Sequence, residues 1–204
     1  MIYDEENKDI KIILLGESGT GKSNLINICC NLKFNKNSVP NYSTSILDKK
    51  VLINNIQYNL QFWDTAGQEK FRSLNNIFIK DSKICIFVYD ISSPPTFKEL
   101  NYWVKSAKNI LGKKAIYGLV GNKMDLEEKI KKEEGEKYAK DINAFFLQCS
   151  AKNDKGNFEE FVLILVNEFL NRNNLKGWEM YTKEESSFTL NSSSANNRKK
   201  KKCC

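Results

Sequence analysis

Apolar residues in this chain follow two repeating patterns. Ile10 to Leu15 form a short apolar run ending at Gly16, and comparable runs recur at Lys83 to Tyr89, Ala115 to Val120 and, more briefly, Ala144 to Cys149. Such runs suit strands covered on both faces. Each precedes a polar turn and then a helical pattern. The clearest helix carries Phe158, Phe161, Val162, Leu165, Val166 and Phe169, spaced by three and four so that they form one apolar stripe. Between Ile46 and Trp63 the pattern changes: Val51 to Ile53 and Ile56 to Phe62 flank Asn54-Asn55, which predicts a hairpin with a tight turn. The expected fold is α/β, with a mostly parallel six-stranded sheet, one antiparallel strand and helices on both faces. The apolar period stops near Arg172, and Ser186 to Asn197 is rich in Ser and Asn. The expected division is therefore a folded domain over residues 1–172 and a flexible tail over 173–204.

Composition narrows the chemistry. A chain of 204 residues, 41% hydrophobic, can bury one full core. Histidine is absent, which removes Ser-His-Asp and Cys-His nucleophiles and every His-ligated metal site. The six cysteines never occur as C-x-x-C, and no signal-peptide pattern precedes the first strand, so a reducing compartment is expected. Cys29, Cys30 and Cys85 read as core thiols. No apolar run approaches the roughly 18 residues of a membrane span. Of the net charge of +7, five positive charges lie in Arg198 to Lys202, leaving +2 for the rest. The basicity belongs to the tail, which disfavours a broad nucleic-acid-binding face.

Gly16-Glu17-Ser18-Gly19-Thr20-Gly21-Lys22-Ser23 matches G-x-x-x-x-G-K-[ST] between a predicted strand and a predicted helix. Glycines let backbone N–H groups turn toward phosphate oxygens, and a helix N-terminus adds partial positive charge. Lys22 is expected on the β- and γ-phosphates and Ser23 on Mg²⁺. This loop alone does not separate ATP from GTP. Gly121-Asn122-Lys123-Met124-Asp125 follows the apolar run at 115–120, at the sheet edge where open α/β folds bind ligands. A carboxylate at Asp125 can accept from both N1–H and the exocyclic amine of guanine, a donor pair adenine lacks; the alternative is a helix cap. Cys149-Ser150-Ala151-Lys152 follows the next strand and offers a backbone N–H to guanine O6.

These three loops, with Trp63-Asp64-Thr65-Ala66-Gly67-Gln68 after the hairpin, resemble the Ras-like small GTPases over roughly residues 8–171. Asn59 to Trp63, Lys70 to Leu74, Phe87 to Ser92 and the terminal Cys-Cys resemble the Rab family in particular. The resemblance implies the P-loop fold of small G proteins and a GTP-hydrolysing switch in vesicle traffic, slow without an activating protein. It implies a phosphate site over Gly16, Glu17, Ser18, Gly19, Thr20, Gly21, Lys22, Ser23 and Gly67, and a guanine site over Asn122, Lys123, Asp125, Ser150, Ala151 and Lys152. Phe34 falls where the family stacks an aromatic on the base; packing in the core is the other reading. Lys22 and Gln68 would be catalytic, Gln68 by orienting the attacking water. Ser23 would hold Mg²⁺ directly and Asp64 through water. Phosphoryl transfer of this kind relies on positioning and charge neutralisation, so it needs no histidine.

Departures from the pattern are also legible. Ungapped counting from Ser23 or from Trp63 puts the first-switch threonine, a further Mg²⁺ ligand in the family, at Asn41; a local shift would give the role to Ser43 or Thr44. With asparagine there, weaker Mg²⁺-dependent discrimination between GTP and GDP is expected. The family's exposed aromatic triad falls on Ile46, Trp63 and Phe78, one aromatic short, which implies a divergent set of effectors; sheet packing is the alternative for Trp63. Lys199 to Cys204 joins a basic run to two thiols, and the resemblance implies geranylgeranylation of Cys203 and Cys204. Two lipids plus charge make a stable anchor on the cytoplasmic face of an anionic membrane, exchanging with cytosol. A nuclear-localisation signal is the rival reading of the lysines. Implied partners of this monomer are GTP and GDP, an exchange factor, a GTPase-activating protein, a GDP-dissociation inhibitor and a prenylation escort protein. The competing functions are a guanine-nucleotide-binding scaffold that cycles little and a P-loop nucleotide kinase.

Overall fold

A computed structural model describes residues 8–35, 45–64, 75–153 and 156–173. Six strands form a single sheet: β1 (Asp9–Leu15), β2 (Ser45–Ile53), β3 (Ile56–Asp64), β4 (Ile84–Asp90), β5 (Ile116–Asn122) and β6 (Phe145–Gln148). Their spatial order is β2-β3-β1-β4-β5-β6, and only β2 runs antiparallel to its neighbour. The described helices are α1 (Lys22–Cys29), α2 (Asn75–Ile79), α3 (Pro94–Lys98), α4 (Leu100–Leu111), α5 (Lys132–Asp141) and α6 (Asn157–Arg172). The α/β sheet expected from the apolar pattern is therefore present.

Strand alternation sends side chains to two cores. Ile12 and Leu14 of β1, with Ile86 and Val88 of β4, meet Leu25 and Ile26 of α1 and the α6 stripe of Phe158, Phe161, Val162, Leu165, Val166 and Leu170. Their neighbours Ile13, Leu15, Cys85, Phe87 and Tyr89 face Trp103, Val104 and Ala107 of α4 and Ala139 of α5. Both β4 and β5 are buried along their full length, as their continuous apolar runs require. By contrast, β2 alternates between half-buried and exposed along the open edge.

Local chemistry sets the boundaries. Asn54 and Asn55 both have positive φ, 49° and 62°, the backbone of a type I′ hairpin turn. At Gly16 a Cβ would lie 2.1 Å from the Val88 carbonyl oxygen, so only glycine lets β1 leave the sheet against β4. Phe169 lies at the margin of its stripe, half-buried, while Leu170 takes the inner position. Cys29 and Cys85 are core thiols as expected, whereas Cys30 is half-buried. Among the described residues, no helix is long and apolar enough to cross a membrane.

Candidate nucleotide site

The site is assembled at the C-terminal ends of β1, β3, β4, β5 and β6. Gly16 to Gly21 link β1 to α1, and Gly19 and Gly21 have φ of 77° and 95°. Lys22, 5% exposed, donates from Nζ to the carbonyl oxygens of Gly16 (2.8 Å) and Glu17 (2.9 Å), curling over its own loop. Burial lowers its pKa to about 8, against the opposing pull of the Asp64 and Glu17 carboxylates. A phosphate oxygen near Nζ would favour the charged ammonium that burial disfavours. Thr20 is buried and donates from Oγ1 to the Glu17 carbonyl oxygen, closing the turn. Ser18 and Gly19 face solvent. The Glu17 carboxylate accepts a hydrogen bond from Trp103 Nε1 at 3.1 Å, which ties the loop to α4.

Asn122 joins the loops. Its Nδ2 donates to the Thr20 carbonyl oxygen at 2.8 Å, and its Oδ1 accepts from the Ala151 backbone N–H at 3.0 Å. At 1% exposure it sits between the phosphate loop and the turn after β6. A Cβ on Gly21 would come within 2.4 Å of its Nδ2, so this glycine is required for the clasp as well as for its backbone angle. Asn122 thus acts through the loops it holds. Lys123 adopts φ 70° and forms an ion pair with Asp90 at 2.7 Å. Burial would raise the Asp90 carboxyl, but hydrogen bonds from Lys123 and Ser92 outweigh it and hold it below its ordinary value.

Asp125 accepts from Ser150 Oγ at 2.5 Å, and Lys152 Nζ lies 3.5 Å from its other oxygen. Here too burial pushes the carboxyl up, and the hydrogen bonds from Ser150 and its own backbone N–H, with the charge of Lys152, more than reverse the shift. The group is an ionised acceptor held in place, and it does not cap a helix. Ser150 and Ala151 are buried beside it.

Phe34 is 37% exposed, so it does not close the core. Asn24 of α1, which the motif reading passed over, grips the next residue: Nδ2 donates to the Asn35 carbonyl oxygen (3.1 Å) and Oδ1 accepts from the Asn35 N–H (2.9 Å). No sequence spacing announces this pair, because the partners are eleven residues apart. At the end of β3, Asp64 is 3% exposed and its charge acts on Lys22. A Ser23 hydroxyl and an Asp64 carboxylate are hard oxygen donors of the kind Mg²⁺ takes, and no cluster of three or more Asp, Glu or Cys among the described residues offers a full protein cage. The donors present fit a Mg²⁺ that draws its other ligands from phosphate and water.

Ile46 is 50% exposed, and Trp63 packs against Phe78 with ring centroids 6.4 Å apart. Lys11 Nζ lies 3.8 Å from the Trp63 ring centroid and also donates to the Lys80 carbonyl oxygen. Trp63 is half-buried on the sheet and stands opposite the exposed Ile46 in the β2–β3 register. Asn41, Ser43, Thr44, Gly67, Gln68, Cys203, Cys204 and the basic tail lie outside the described residues.

A sequence model of the Ras family matches residues 11–171. Ras-related protein Rab-21 of Bos taurus and that of Homo sapiens are each 40% identical to the chain over 162 residues, covering 78% of it and 72% of the relative. Ras-related protein SEC4 of Saccharomyces cerevisiae is 35% identical over 186 residues, 90% of this chain and 86% of the relative. The chain belongs to the Ras family, as a small GTPase of the Rab type. It is a GTP-binding and GTP-hydrolysing switch of membrane trafficking.

Proposed function

We propose that the loops gathered by Asn122 form the guanine-nucleotide pocket, with phosphates in the 16–23 loop and the base between Phe34 and the loops at 122–125 and 150–152. The observation carrying this reading is the clasp itself: one buried amide bonded to both Thr20 and Ala151 couples a phosphate cradle to a base-reading edge. Asp125 accepts from guanine N1–H and the exocyclic amine. Ser150 and Lys152 orient it, the 150–152 turn lines O6, and Lys123 is held beside the pocket by its ion pair with Asp90. Ser23, Asp64 and either Asn41 or Thr44 are the protein's Mg²⁺ positions, and the bound ion would neutralise phosphate charge. Backbone N–H groups of the loop and Lys22 steady the β- and γ-phosphates. Gln68 orients a water whose oxygen attacks the γ-phosphorus as the bond to the β–γ bridging oxygen breaks, releasing GDP and phosphate. The Gly67 N–H registers whether the γ-phosphate is present.

The switch acts at a membrane through lipids on Cys203 and Cys204 with help from the preceding lysines, which fits the family and the charge distribution of the tail. Ile46, Trp63 and Phe78 face effectors. An exchange factor, a GTPase-activating protein, a GDP-dissociation inhibitor and a prenylation escort protein are its expected regulators. The folded unit spans 1–172, and 173–204 serves as the tether. Purified protein titrated with labelled GDP, GTP and ATP in Mg²⁺ tests the pocket: guanine nucleotides bind at sub-micromolar concentration and ATP does not. Single-turnover GTP hydrolysis then measures how fast the switch turns over without an activating protein.

A further inference from the structure

Asparagine three residues into a helix is a poor choice for helix stability, because its side chain competes for nearby backbone groups. Asn24 holds that place in α1, directly after Lys22 and Ser23, and only 8% of it is exposed. Its amide accepts from the Asn35 N–H and donates to the Asn35 carbonyl oxygen, so one side chain satisfies both backbone groups of one residue. Exchanging the amide's oxygen and nitrogen would set donor against donor and acceptor against acceptor, which fixes the orientation. The pair works like a single rung of a β-ladder laid between the phosphate-loop helix and the segment that leaves it. Phe34, immediately before the clamped residue, is held with more than a third of its surface uncovered.

We propose that Asn24 is a positioning residue for nucleotide retention: by fastening residue 35 to α1, it holds Phe34 as a preset wall of the base pocket and slows nucleotide release. This rests on the reading that Phe34 lies on the guanine. The clamp joins parts present whichever nucleotide is bound and lies upstream of the first-switch positions at 41–44. It therefore retards GDP and GTP release alike. Pre-organisation raises affinity by removing an ordering cost, and here that cost would fall on the loop bearing the aromatic.

Stopped-flow release of mant-GDP and mant-GTP from the full chain with Mg²⁺, for wild type, N24A, F34A and the double variant, tests the proposal. Two hydrogen bonds at the scale of individual buried pairs lead us to expect N24A to release both nucleotides about tenfold faster, with the F34A background abolishing most of that effect. Hydrogen–deuterium exchange of the GDP-bound protein supplies a second readout. N24A should lose protection at the 35 amide while the amides of β4 and β5 keep theirs. Release within twofold of wild type for N24A, or an equal acceleration in the F34A background, overturns the proposal. If F34A alone leaves release unchanged, the placement of Phe34 on the base is wrong and the clamp's purpose falls with it. A normal F34A effect with a silent N24A condemns only the clamp.

Discussion

In the proposed pocket, Asp125 is the single residue that sets base selectivity. An ionised carboxylate accepting two hydrogen bonds from one base edge is worth about 1.5–3 kcal/mol per bond, so D125N should weaken GDP binding by about 100-fold or more. Fluorescence titration with mant-GDP measures this loss. The hydrogen bonds from Ser150 and the charge of Lys152 also predict a pH profile. Because they hold the carboxyl below its ordinary 3.8, its favourable contribution is complete above that value and disappears only as pH falls through the lowered one. The ratio of GDP to IDP affinity removes the titration of the phosphates themselves, and it should stay flat from about pH 8 down to about pH 5. A ratio that collapses near pH 6 would mean that Asp125 does not read the exocyclic amine.

At the scale of elements, α6 and β5 meet closely because Gly118 has no side chain. A Cβ there would lie 3.0 Å from Leu165 Cδ1 and 3.1 Å from the Phe161 ring. G118A should cost about 1–3 kcal/mol through overpacking, and L165A about 2–5 kcal/mol through the cavity it leaves. Since the added methyl occupies part of that cavity, the double variant should lose less than the two single losses combined, which urea unfolding of the GDP-bound protein would reveal. The elements themselves were largely legible in the chain. Continuous runs marked β4 and β5 because both faces of those strands are buried, and Asn54-Asn55 marked the hairpin because asparagine tolerates positive φ. Helix α2 has five residues and too short a period to announce itself. In the site, glycine spacing and loop position exposed the residues that would meet the ligand. Asn24 and Trp103 escaped notice because each acts on a partner brought near only by folding, as with Trp103 and Glu17, 86 residues apart.

For the whole molecule, sheet order explains why distant segments serve one pocket. Parallel strands β3, β1, β4, β5 and β6 all end on the same edge, which brings Asp64 and the described turns after β1, β4, β5 and β6 to one side while the two cores keep their spacing rigid. The proposed anchor lies beyond this body. Deleting Cys203-Cys204 should leave the melting temperature and GDP affinity unchanged while shifting the protein from the membrane fraction to the cytosol in cells. Unchanged membrane partition on fractionation would favour a nuclear address for the lysines over a lipid anchor.

Asn122 has a consequence that extends to ligand dimensions. With Thr20 on one side of its amide and Ala151 on the other, the reach between the proposed phosphate and base contacts is gauged by one short, stiff side chain. The proposed pocket thus carries a ruler as well as a reader. A guanine ligand whose sugar linkage is lengthened or shortened by a single bond should satisfy either end alone, but never both together.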